Sequence, residues 1–139
     1  MYSTKHLKFP FSQTCLIQIR KKKIEKSVTC ELAQSVIEIF QSLKFREKKD
    51  FIIPLVLKFE NPNIQSFVLS DYAFSVEHIC IDENNIVDKL YTQPFSKIEA
   101  TFIQGYSSFK FIILAPVGFI KDYKIEEKTT AISLINLSK

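Results

Sequence analysis

Apolar residues along this chain fall into short runs separated by turn-forming residues, a pattern that predicts strands almost throughout. Cys15–Arg20 and Ser27–Leu32 flank a lysine-rich segment and are expected to pair as a hairpin. Phe51–Phe59 is rich in branched residues, but Pro54 would delete a ladder hydrogen bond, which suggests an edge or a bulge. Asn61-Pro62-Asn63 marks a turn before Ile64–Leu69, and Ser70-Asp71 is a polar break. In Phe74–Asp82 the pattern puts Val76, His78 and Cys80 on one side, with Glu77, Ile79 and Ile81 on the other. Asn84-Asn85 is a second turn, followed by Ile86–Tyr91. Beyond Pro94 the runs resume as Ile98–Ile103, Phe109–Leu114 and Ala131–Leu137. Between the last two, Ala115–Phe119 reads as an irregular bend that starts a short turn of helix.

One segment has a helical period. Ser35 and Glu38 form a capping box, in which hydroxyl and carboxylate satisfy backbone donors at a helix start. Val36, Ile39, Phe40 and Leu43 then share one face, which predicts a helix over Ser35–Lys44. Many short strands with one helix predict a mainly β domain, an antiparallel barrel or sandwich. Residues 13–139 are expected to form that single domain, with residues 1–12 only loosely held.

Composition narrows the chemistry. The only glycines are Gly105 and Gly118, so no GxGxxG or GxxxxGK[ST] phosphate loop exists, and no GxSxG nucleophile elbow. Cys15, Cys30 and Cys80 are odd in number and widely spaced, and neither His6 nor His78 stands at zinc-ligand spacing from them. Buried free thiols and a reducing, cytoplasmic location are the expectation. The net charge of +4 is mild, and its densest part, Arg20–Lys23 with Lys26, reads as a solvated hairpin turn. A phosphate or lipid-headgroup contact is the sharper alternative there. No apolar run approaches the length of a membrane span.

Four blocks resemble the bacterial and archaeal domain-of-unknown-function family numbered 192. Glu31-Leu32-Ala33, the predicted helix and Leu43-Lys44-Phe45-Arg46 are similar to its opening V-E-[IL]-A-x-T-x-x-E-R-x-x-G-L-M-x-R, without a gap. Leu55–Phe59 resembles its M-L-F-x-F strand. Phe67–Asp82 aligns with F-W-M-x-N-T-x-x-P-L-D-x-x-F-[IL]-D, and Ile112–Phe119 with the closing V-L-E-x-P-A-G-F. The resemblance covers roughly residues 28–135 and implies a compact, mainly β domain of a divergent member. Glu31, Arg46, Phe67, Asp82 and Gly118 are retained. Val68, Asp71, Ser75 and Glu77 replace the family's Trp, Asn, Pro and Asp, while Ile39, Ser42 and Lys44 replace its Arg, Gly and Met.

The candidate polar site is Glu31, Arg46, Asp71 and Glu77. Brought together, three carboxylates around one guanidinium could raise a carboxyl pKa for acid–base work, or bind a hard cation. The alternative is a structural ion pair held by Arg46. His78 is expected to be a half-buried, hydrogen-bonded histidine. Asp82–Asn85 lacks the glycine and distal glutamate of a calcium loop and reads as a turn. No cofactor or metal is implied. The reading favoured is a non-enzymatic binding or interaction module for a protein or small-molecule ligand. A small enzyme using Glu31, Asp71 and Glu77, with or without a metal, is the alternative. Binding of single-stranded nucleic acid on exposed phenylalanines is a second and weaker one.

Overall fold

The lysine-rich segment does form a hairpin. In a computed structural model that describes residues 13–34, 47–58, 66–69, 74–93, 101–104 and 109–135, β1 (Thr14–Lys21) pairs antiparallel with β2 (Ile24–Ala33). The register runs from Thr14 opposite Glu31 to Lys21 opposite Ile24, leaving Lys22 and Lys23 as the turn. Lys22 takes a left-handed conformation, with φ 56°. An L side chain there costs about 1 kcal/mol that glycine avoids. Lys22→Gly is therefore expected to raise the melting temperature by roughly 3 °C. A lower melting temperature would show that the lysine side chain itself holds the turn.

Seven further strands follow: β3 (Leu55–Lys58), β4 (Ser66–Leu69), β5 (Val76–Asp82), β6 (Val87–Gln93), β7 (Thr101–Gln104), β8 (Phe109–Pro116) and β9 (Ala131–Ile135). β4 and β7 pair as a separate antiparallel ribbon. The others form one sheet in the order β6-β5-β8-β3-β2-β1-β9. Its ends meet: Ile86 bridges Ala131, Val87 N–H donates to Thr130 O at 2.9 Å, and Ile132 N–H donates to Asn85 O at 2.8 Å. The sheet therefore closes as a barrel, which removes exposed edges along that seam. Asp88 is the extra residue of a bulge between the Cys80–Lys89 and Ile81–Val87 pairs. Its buried carboxylate accepts from the Lys128 ammonium, and this bond holds the Lys128 pKa above its usual range.

Two expectations need correction. The barrel is not wholly antiparallel, because β2 and β3 run parallel with Glu31 opposite Leu55. A two-residue turn can only reverse a chain, whereas the long connection through residues 34–54 lets it return to the same end. Nor does Pro54 mark an edge. It stands just before β3, a central strand, where its missing N–H removes no ladder bond and its carbonyl accepts from Glu31 N–H at 2.9 Å. The predicted helix Ser35–Lys44 and the segment 1–12 lie outside the described residues.

Strand register divides the core in two. Cys15, Ile17, Cys30, Leu32, Val56, Ile79, Ile81, Ile113 and Ile132 fill the barrel interior. Ala33, Leu55, Leu57, Val76, Cys80, Ile112 and Leu114 form a second cluster on the outer face, joined by Phe51 and Phe74. β5 is buried on both faces for this reason, while β1 alternates. Beyond β8, Gly118 turns the chain into a four-residue helix, α1 (Phe119–Asp122). Gly118 has φ +106°, which an L side chain rarely adopts, although a Cβ there would meet nothing within 4 Å. Phe119 and, farther on, Ile125 pack into the interior cluster.

Candidate functional site

β5 positions Glu77 on the interior face, opposite Ala115, close to where α1 begins. Its carboxylate is buried and accepts two backbone bonds, from Gly118 N–H at 3.0 Å and from Ile120 N–H at 2.8 Å. Each oxygen is thus occupied by a donor that a helix start leaves open. This is a structural role: the two donors and the burial of the side chain hold the carboxylate against the backbone, away from solvent.

Glu31 is also buried, but it lies elsewhere. Its alternation with Leu32 and its pairing with Leu55 put it on the outer face of the sheet. The fold therefore does not bring Glu31 and Glu77 together: they occupy opposite faces. Arg46 and Asp71 lie outside the described residues. Among the described residues, no three His, Cys, Asp or Glu side chains are grouped so as to hold a metal ion. Asp82 serves its own turn, its Oδ1 accepting from Asn84 N–H at 2.9 Å and Ile86 N–H at 3.0 Å.

His78 is fully rather than half buried, in the outer-face row with Leu114 and Tyr91. Its ring centroid lies 5.7 Å from that of Tyr91. Burial lowers its pKa to about 4, only partly offset by a hydrogen bond with the Tyr91 backbone. A ring that is neutral and enclosed at pH 7 is no solvent-facing base. Cys15 and Cys30 face each other across β1 and β2 inside the barrel, and all three thiols are buried and unbridged. Contact with the Cys15 sulfur and then burial push the Cys30 thiol up, while burial pushes Cys80 to about 12. The Cys15 thiol is held below its usual range by its contact with Cys30, but it is fully buried, so none combines the lowered pKa and the access of a reactive cysteine.

What the barrel mouth does offer is an open groove. One depression, of about 280 Å³, lies between Val28, the Ile52–Pro54 loop, Pro116, Val117 and α1. A second, of about 100 Å³, lies between the hairpin positions Ile19, Lys21, Ile24 and Lys26 and the end of α1 at Asp122, Tyr123 and Lys124. The two adjoin, sharing Asp122 and Tyr123. Ile24 (56% exposed), Ile52 (78%) and Val117 (60%) are large apolar side chains left open to solvent here. Lys26 and Lys124 line the smaller depression, Lys22 and Lys23 form the adjoining hairpin turn and Lys121 lies in α1; none of the five makes an ion pair among the described residues. Lys21 is engaged, holding Glu126 at 3.0 Å and the Lys124 carbonyl at 3.2 Å.

Sequence reasoning saw the lysines but not the groove. The available signal was an apolar residue placed at a turn: Ile24 directly after the lysine run, Val117 between Pro116 and Gly118, and Ile52 before Ile53-Pro54.

Comparison with known proteins adds the fold. No protein-family model matches the chain, and no curated protein matches it significantly. Among the solved structures that resemble it are two crystal structures, each with a TM-score of 0.71 and 12% sequence identity. One is a protein proposed to be a transcription regulator, from Sinorhizobium meliloti, and the match covers 89% of this chain and 96% of that one. The other is a protein of unknown function from Novosphingobium aromaticivorans, with 96% and 98% covered. At that identity the likeness establishes a shared mainly β fold.

Proposed function

We propose that this protein is a non-enzymatic binding module whose recognition surface is the groove at the barrel mouth. The observation that carries this reading is the gathering of exposed Ile24, Ile52 and Val117 around adjoining depressions, since monomeric proteins rarely leave such apolar groups together in a concavity without use. The separation of Glu31 from Glu77, and the commitment of Glu77 to backbone donors, favour binding over carboxylate catalysis. Unbridged thiols support a reducing, cytoplasmic setting. We also infer a divergent member of the domain-of-unknown-function family numbered 192. Supporting this are the gap-free spacing of its blocks and the left-handed glycine, Gly118, in its closing one.

An NMR screen with small apolar fragments tests the binding reading. Amide shifts are expected to cluster at Val28, Ile52, Val117 and Tyr123, and to weaken with Val117→Ser. Hits centred on the outer face near Glu31 would overturn it. So would turnover of an ester or phosphoester panel that Glu31→Gln abolishes.

A further inference from the structure

We infer that the groove takes an acidic peptide segment, one with apolar side chains flanked by Asp or Glu; this rests on the binding-module reading and names its partner. Three observations lead there. The first is charge: among the described residues, Lys26 and Lys124 line the smaller depression and make no ion pair, and with Lys21 they outnumber Asp122, the one acidic residue that lines the two depressions. Complementary potentials speed encounter and disfavour like-charged partners. A second copy of this chain, itself at +4, is a poor fit for the same reason, as is its own segment 1–12 with Lys5, His6 and Lys8.

The second is size. A cavity of about 150 Å³ holds one benzene-sized group, so depressions of about 280 and 100 Å³ suit successive side chains of one segment. The third is openness. Small-molecule sites enclose most of their ligand, whereas Ile52 and Val117 at this rim stay largely exposed. A peptide needs only its apolar side chains covered, and its own charges can remain at the lysine rim.

The test is selection from a random dodecapeptide library displayed on phage, against the full chain, followed by NMR mapping of the recovered peptides. Peptides that combine apolar residues with Asp or Glu are expected, shifting amides around Val28, Val117 and Tyr123. Their affinity should fall about tenfold in Lys26→Glu with Lys124→Glu, fall with added salt, and fall separately in Ile52→Ser with Val117→Ser. All four positions are exposed, so these variants should keep the wild-type melting temperature. Peptides that map to the groove without acidic enrichment would overturn the acidic partner and leave the binding module standing. If no recovered peptide maps to the groove, the peptide falls; if no apolar fragment shifts amides there either, the binding module falls with it. Retention on phosphatidylserine-containing vesicles or on single-stranded DNA, lost in the lysine double variant while no acidic peptide binds, would replace the peptide with a membrane or a nucleic acid.

Discussion

Glu77→Ala is expected to cost about 3 kcal/mol of folding free energy and to lower the melting temperature by roughly 10 °C. The carboxylate is buried and accepts from Gly118 and Ile120 N–H, so its removal loses two charge-assisted bonds and strands two donors at the start of α1. Helix α1 is too short to stand by its own hydrogen bonds, being only four residues long. Glu77→Gln keeps one carbonyl acceptor and should lose about half as much. Denaturant titration gives the free energies, and hydrogen exchange at the Gly118 and Ile120 amides locates the loss. An unchanged midpoint in Glu77→Ala, with both amides still protected, would mean that another acceptor replaces the carboxylate.

The same contact links the core to the groove. α1 and Tyr123 form one wall of both depressions, and Glu77 holds the start of that wall from inside the barrel. A ligand-binding defect in Glu77→Ala would therefore report a displaced wall. It would not make Glu77 a contact residue.

Much of the fold was legible because half of this barrel is patterned locally. The β1–β2 hairpin, the Asn84-Asn85 turn and the two faces of β5 follow from alternation and turn chemistry over a few residues. The parallel β2–β3 pair was not legible, because no local signal records where a chain returns after twenty residues. Burial of β5 on both faces hides its environment similarly: Glu77 and His78 look like polar positions in the sequence, yet both are buried, on opposite faces. The candidate site failed to assemble between Glu31 and Glu77 for a simple reason. Residue types can suggest a cluster, but strand parity decides which face each side chain takes, and parity relative to another strand depends on long-range register. The groove was missed because exposure of Ile52 and Val117 is a property of how loops end the barrel.

His78 should make the protein acid-sensitive in a defined window. Its folded pKa of about 4 lies below the ordinary 6.5, so in the unfolded chain the ring binds a proton first as pH falls. The contribution is fully present above about pH 7 and is lost as pH drops from 6.5 towards 4, the loss totalling about 3 kcal/mol once both states are protonated. Carboxylates also titrate near the bottom of that range, so the informative quantity is the difference from His78→Leu, which cannot titrate. In unfolding free energies measured from pH 8 to pH 4, the wild type should lose stability relative to His78→Leu as pH falls, its curve being the steeper between 6.5 and 4. Parallel curves would show that the ring takes up its proton equally well when folded, through local opening of the outer face around Leu114 and Tyr91. The expected steepness instead reflects a histidine held neutral by its surroundings, at a position where the sheet is covered on both sides.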